Sequence, residues 1–313
     1  MNTREARFGT DICFVILHYQ VMEETEACVR SIREKVDTEH YAIVIVDNAS
    51  PNGSGDRLKK LYRRRKRVTV LQSEKNLGFA RGNNLGYDYA KNELNARFIV
   101  MLNNDTLMIQ DDFLSVIERE YQKYDFAVLG PRIETNDDSP NCNPGPSTFS
   151  STEWLDRVCR LNRKHLWRHY FRVEKLLPAL KRKLMQVIKP APEADPFEAS
   201  STQTPVKEMS EDAHRENVQL HGCCLIFSPL FTERFDGLDP RTFMFMEEEI
   251  LFVQVRRSGL KTLYSPDVEI LHLEDAATDA IYDKPRDKRI FYLRNQLRSA
   301  QVLRQVLRET NSA

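Results

Sequence analysis

The sequence predicts an α/β fold in which a mostly parallel sheet is flanked by helices, and three observations carry that prediction. Apolar runs at 12–17, 41–46, 68–71 and 98–102 are separated by stretches of helical periodicity. The runs do not alternate with polar residues, as befits strands covered on both faces. Each is followed by short polar residues, including His18, Asp47, Asn76 and Asn103-Asn104-Asp105. In open α/β sheets, ligands gather beyond such carboxyl ends.

A chain of 313 residues suits one large α/β domain, or one domain with a sizeable appendage. Lys plus Arg equals Asp plus Glu at 46 each, so the global basic excess of a nucleic-acid binder is missing and none is expected as a partner. Cys13, Cys28, Cys142, Cys159, Cys223 and Cys224 lie mostly within apolar runs without C-x-x-C spacing. Reduced core thiols and a cytoplasmic protein are expected. The first twenty residues carry charges and no signal-peptide pattern, and no apolar stretch is long enough to span a bilayer. The protein is expected to be soluble or peripherally attached.

Along the chain, the first run leads through His18-Tyr19-Gln20 to a helix marked by Cys28, Ile32 and Val36. The second ends in Asp47-Asn48-Ala49-Ser50-Pro51-Asn52-Gly53-Ser54, a dense set of turn formers. The third precedes Asn76-Leu77-Gly78-Phe79-Ala80-Arg81-Gly82-Asn83-Asn84, then a helix marked by Leu85, Tyr89 and Leu94. The fourth runs into Asn104, Asp105 and Thr106. Asp105 suits a hard divalent cation, or alternatively a helix cap ahead of Asp111 and Asp112. A helix over 111–124 and a strand over 126–131 follow.

From Trp154 to Ile188, ten Lys and Arg interleave with apolar residues such as Leu155, Leu161, Trp167 and Phe171. Such a basic amphipathic segment can lie on an anionic membrane, or pack its apolar stripe on the main domain with its charges in water. Residues 190–217 are rich in Pro, Ser, Thr and acids, the composition of a mobile loop.

Order resumes at 218–227, where Gly222 in His221-Gly222-Cys223-Cys224 would let another group approach the backbone. Phe243-Met244-Phe245-Met246 then leads into Glu247-Glu248-Glu249 at the start of a helix. These carboxylates compensate a helix dipole, or supply a general base of raised pKa. Two short strands are expected at 262–264 and 268–271, the second closed by His272, which is either structural or a cation ligand beside Asp105. From Lys284 the tail forms a basic helix whose arginines contact phosphate or water.

These motifs resemble the inverting family 2 glycosyltransferases, in the rhamnosyltransferase-like subgroup. Ile16-Leu17-His18-Tyr19 looks like the first-strand motif, with Gln20 in place of the usual Asn. Val46-Asp47-Asn48-Ala49-Ser50 resembles the second motif, and Asn76-Leu77-Gly78-Phe79-Ala80 with Gly82-Asn83-Asn84 the third. Leu102-Asn103-Asn104-Asp105-Thr106 is similar to the metal-binding Asp-x-Asp element, with Asn103 replacing the first Asp. Phe243 to Glu248 looks like the segment Phe-x-Tyr-x-Glu-Asp whose second acid is the base, here Glu248; a further family Asp two positions on is here Ile250.

The resemblance implies a GT-A fold and transfer of a sugar, with inversion, from a UDP- or dTDP-sugar to a hydroxyl of a glycan or lipid-linked glycan. It implies Glu248, with Glu247 as alternative, as catalytic base. It implies His18, Tyr19, Asp47, Asn76, Gly78, Arg81 and Asn104 as nucleotide-binding residues, and Asp105 and His272 as ligands of Mn2+ or Mg2+. Residues 1–149 would form the nucleotide-sugar half and 218–283 the acceptor half, with 150–217 an insertion and 284–313 a C-terminal helix. A degenerate, non-catalytic relative is the alternative, supported by Asn103 and Ile250. No G-x-G-x-x-G follows any strand, which argues against a dinucleotide-binding dehydrogenase.

Overall fold

The computed structural model describes residues 8–136, 141–145, 152–170, 212–273 and 285–309. Two compact units divide the chain: Met1–Ser147 with Ser210–Ile281, and Thr148–Met209 with Tyr282–Ala313.

In the first unit the strands are β1 (Thr10–His18), β2 (Tyr41–Asp47), β3 (Val68–Gln72) and β4 (Ala96–Asn103). They continue with β5 (Thr106–Met108), β6 (Val128–Thr135), β7 (Arg215–Glu216), β8 (Cys224–Phe227) and β9 (Thr262–His272). Their order is β3-β2-β1-β4-β8-β6-β9-β5, with β7 also on β9. The first four pair in parallel, as does β6 with β9. The contacts of β8 with β4 and β6, and those of β5 and β7 with β9, are antiparallel. Register sets His18 beside Asp47 and Leu17 beside Asn103, so the polar strand ends share one edge.

The connecting helices are α1 (Met22–Lys35), α2 (Ser54–Tyr62), α3 (Gly78–Asp88) and α4 (Phe113–Tyr124). Ile12 to Ile16 and Ile43 to Val46 are fully buried, because helices cover both faces of the sheet. On one face α3 lies so close to β1 and β2 that a Cβ at Gly86 would overlap the side chains of Val15 and Val46.

Several sequence expectations change. The strands expected at 262–264 and 268–271 are one strand, β9, whose pairing with β6 shifts register between Pro131 and Arg132 and so carries it past Pro266. The run 218–227 is a strand only from Cys224, because Gly222 and Cys223 sit in a turn. Asp105 does not cap a helix: β5 follows it at once, and α4 begins at Phe113 after Asp112. Most of the loop expected over 190–217 lies outside the described residues.

In the second unit, α5 (Thr152–Tyr170) packs against a long C-terminal helix, Pro285–Arg308. Leu155, Cys159, Asn162 and Leu166 recur at helical spacing on the buried face of α5. Asn162 bonds Gln296, and Asp156 pairs with Arg304 at 2.8 Å. The apolar stripe of α5 therefore meets another helix of its own unit, and the rest of the basic segment expected to Ile188 lies outside the described residues. No disulfide joins any of the six cysteines, and no described helix is long and apolar enough to cross a membrane.

The α3 contact is testable. On an open helix face Gly→Ala gains about 1 kcal/mol. Gly86→Ala should instead destabilise the protein by about 1–3 kcal/mol through overpacking, read from urea unfolding midpoints.

Candidate active site

The carboxyl edge of β1 to β4 gathers the candidate nucleotide residues. Asp47, buried at the end of β2, accepts the Ser50 backbone N–H at 3.1 Å and lies so close over Gly55 in the first turn of α2 that no Cβ would fit there. Asn48 accepts the Leu77 N–H at 2.8 Å and donates to Asn76 and the Gly78 carbonyl, while the Asn76 side chain accepts the Gly78 N–H. Asn76 and Arg81 are exposed and Tyr19 is half-buried, so all three can meet a ligand. Gln20 (φ 66°) and Ala49 (φ 59°) sit in the left-handed region, where Asn is the most tolerant residue with a side chain.

Two expected nucleotide contacts are turned inward. His18 is fully buried, with Nδ1 2.7 Å from Thr25 Oγ1 and Nε2 2.8 Å from Ser54 Oγ. Thr25 already donates to Val21, so His18 donates to it from Nδ1, tying β1 to α1 and α2, and burial favours the neutral ring. Asn104 likewise spends its amide on Thr25 and Val21. Both residues brace the cleft from behind.

Asp105 lies in the two-residue turn between β4 and β5, and β5 pairs with β9 so that Thr106 faces His272. Asp105 Oδ1 and His272 Nε2 come within 3.2 Å, yet they are not aligned as a hydrogen bond, and neither atom has another hydrogen-bond partner among the described residues. Both residues are nine-tenths or more buried. Two orphaned ligand-type atoms converging in a dry place fit a shared cation.

The acid triplet opens α7 (Glu247–Arg257), which follows the short helix α6 (Pro229–Thr232). Phe245 (φ 75°) and Met246 (φ 66°) precede it, two consecutive left-handed residues with bulky side chains. The loop before them is held by α3: Phe79 N–H donates to the Phe243 carbonyl at 2.7 Å, and the Asn84 side chain bonds both N–H and C=O of Leu238. Gly78 (φ 79°) is required, since a Cβ would overlap the Phe243 carbonyl.

Glu248 rests on Gly222, whose backbone N–H donates to it and where no Cβ would fit. Burial raises the pKa of Glu248, and that of Glu247 and Glu249, the latter two being raised further by the charge of Glu248. Three such adjacent carboxyls share fewer than three charges near neutrality.

The two clusters meet at residues 221–223. Gly222 carries Glu248, the Cys223 carbonyl accepts the Asn103 N–H at 2.9 Å, and the His221 ring lies 6.2 Å from that of His272. His221 is fixed by its N–H to Asn143, at 3.1 Å. The sequence flagged Gly222 but not His221 or Asn143, whose meeting depends on the distant pairing of β6, β8 and β9.

A separate cluster, Glu120, His214 and Asp267, brings ligand-type atoms within 4.8 Å of one another. His214 Nε2 is 2.7 Å from Glu120, and Arg119 pairs with Asp267 at 3.3 Å. Asp267 stands five residues before His272 on β9, so this cluster is not part of the cleft.

Burial lowers His18 to about 4 from an ordinary 6.5. Between those values the unfolded chain binds a proton that the fold refuses, so stability falls as pH drops from 6.5 toward 4. The loss reaches about 3 kcal/mol. His18→Gln should flatten that limb, measured as the difference between urea unfolding of variant and parent at pH about 7 and about 4.5.

The sequence matches the family described as Glycosyl transferase family 2 over residues 13–182, more than half of the chain. It is 22% identical over 262 residues to the low-salt glycan biosynthesis hexosyltransferase Agl10 of Haloferax volcanii, covering 84% of this chain and 67% of that one. Among solved structures, GalNAc-T7 with UDP, GalNAc and Mn2+ superposes with a TM-score of 0.54 at 12% identity, over 85% of this chain and 44% of that one. The structure of S. aureus TarS 1–349 matches with a TM-score of 0.36 at 17% identity, over 42% of this chain and 37% of that one. The chain thus spans less than half of these solved chains. The fold is GT-A, shared with GalNAc-T7, and the chain belongs to glycosyl transferase family 2.

Proposed function

We propose that this glycosyltransferase moves a hexose from a UDP- or dTDP-sugar to an acceptor hydroxyl in a single inverting displacement. On this reading it works in the cytoplasm, building a surface polysaccharide or glycoconjugate on a free or lipid-linked glycan. One observation carries the proposal: the Asp105–His272 pair and Glu248 converge on the same three residues, 221–223, beyond the ends of parallel strands. Transfer from a nucleotide diphosphate needs a counter-charge for the leaving group and a base for the nucleophile, and here one segment holds both.

Asp105 and His272 would hold Mn2+ or Mg2+, their oxygen and imidazole donors suiting either and Mn2+ better. When bound, the ion offsets charge on the departing diphosphate. Tyr19, Asp47, Asn76, Gly78 and Arg81 form the nucleotide floor, with His18 and Asn104 behind it. Glu248, or Glu247 in its place, takes the acceptor proton as the hydroxyl oxygen bonds the anomeric carbon and the sugar–diphosphate bond breaks on the opposite face. We assign residues 1–149 to donor binding and 218–283 to the acceptor and base, with 150–217 an insertion and 284–313 the C-terminal helix.

A second reading, a donor-binding protein without turnover, draws on Asn103 and on Ile250, which is fully buried in the core. Thermal shift with a panel of UDP- and dTDP-sugars, with and without Mn2+ or Mg2+, and a transfer assay separate the two. Metal-dependent stabilisation lost in Asp105→Ala is expected, with turnover reduced roughly 100-fold or more in Glu248→Gln while donor binding is retained. Stabilisation without turnover against any acceptor favours the second reading, and no stabilisation defeats both. Because burial raises the base, the acidic limb of kcat/KM should lie above the ordinary Glu value of 4.5 and rise with pH.

A further inference from the structure

We infer that the outer face of α5 is a docking surface for an anionic lipid bilayer. The inference is independent of the reaction proposed above.

Its first support is charge segregation. α5 carries five Lys and Arg against two acids, and the C-terminal helix packed on it carries seven against one, in a chain whose totals are equal at 46. With Leu155, Cys159, Asn162 and Leu166 turned inward, helical spacing sets Arg157, Arg160, Lys164 and Arg168 along the opposite side. One of the two acids, Asp156, is occupied by Arg304.

Its second support is the aromatic residues. Trp154 (37% exposed), Trp167 (57%) and Tyr170 (55%) flank that cationic stripe at the two ends of the helix. Each of these three rings is more than a third exposed beside the row of Lys and Arg. At a lipid surface, Trp and Tyr rings settle at headgroup depth while Lys and Arg reach the phosphates. The apolar side of α5 is already packed on its partner helix, so the contact is shallow, electrostatic and sensitive to salt.

The chain's two tryptophans are both on this helix, so intrinsic tryptophan emission reports this surface alone. The full chain is mixed with phosphatidylcholine vesicles, with and without phosphatidylglycerol, and followed by flotation and by emission. Flotation and a blue shift are expected with the anionic vesicles only, both reversed by salt. The double substitution Arg160→Glu with Lys164→Glu should weaken binding at least about tenfold, each cation near the surface being worth about a factor of five. Arg160→Lys with Lys164→Arg should bind as the parent does, and circular dichroism checks that each variant folds. The proposal is overturned by equal binding to neutral vesicles, by no binding at low salt, or by flotation that the charge reversal leaves intact. Tighter binding to duplex RNA than to anionic vesicles also overturns it. If the reversed variant fails to fold, the lipid and salt dependence of the parent and the blue shift still decide.

Discussion

Everything at the cleft hangs on a backbone without a side chain. Gly222 lets the Glu248 carboxyl lie directly against a peptide N–H, and the next residue, Cys223, closes the sheet through its carbonyl to Asn103. Any side chain at 222 would push the carboxylate out of its place, and any loss of the Asn103 bond would loosen the turn that presents Asp105. The preceding His221 joins the same constraint from the other side, held to Asn143 and facing His272. The proposed cation site and the proposed base, built from residues far apart in sequence, are thus positioned by three consecutive residues.

Strain is concentrated beside this junction. Phe245 and Met246 occupy the left-handed region, at a cost of about 1–3 kcal/mol each, and Gln20 and Ala49 do so across the cleft. What holds them is the neighbouring rigid structure: α3 clamps the 235–243 loop through Phe79 and Asn84, and α3 itself is pressed onto β1 and β2 at Gly86. Packing in the sheet core thereby fixes where the acid triplet points.

Local chemistry explains what was legible in the sequence. The unbroken apolar runs announced buried strands, and Asp47, Asn76 and Asp105 could be placed because a parallel sheet puts its strand ends on one edge. Direction was less legible. His18 stands at such a strand end too, yet its ring turns inward because Thr25 offers it an acceptor and Ser54 a donor, the latter match made across 36 residues. Strand β5 is only three residues long and exists through its pairing with β9, so no local pattern marks it. The partner of α5 was hidden for the same reason, lying more than a hundred residues downstream.

Where the second unit leaves the first also matters. Gly145 and Gln219 form a bridge with a hydrogen bond of 2.9 Å, so the chain's exit and return are pinned side by side whatever lies between them. Closing a longer or shorter excursion there changes the entropy only logarithmically. The strand register therefore depends little on the length of the intervening segment. The second part of that unit is the C-terminal helix, which shares the Asn162–Gln296 and Asp156–Arg304 contacts. The second unit is thus built from two stretches of chain far apart in sequence, and a change on the packed face of either helix is felt by the other.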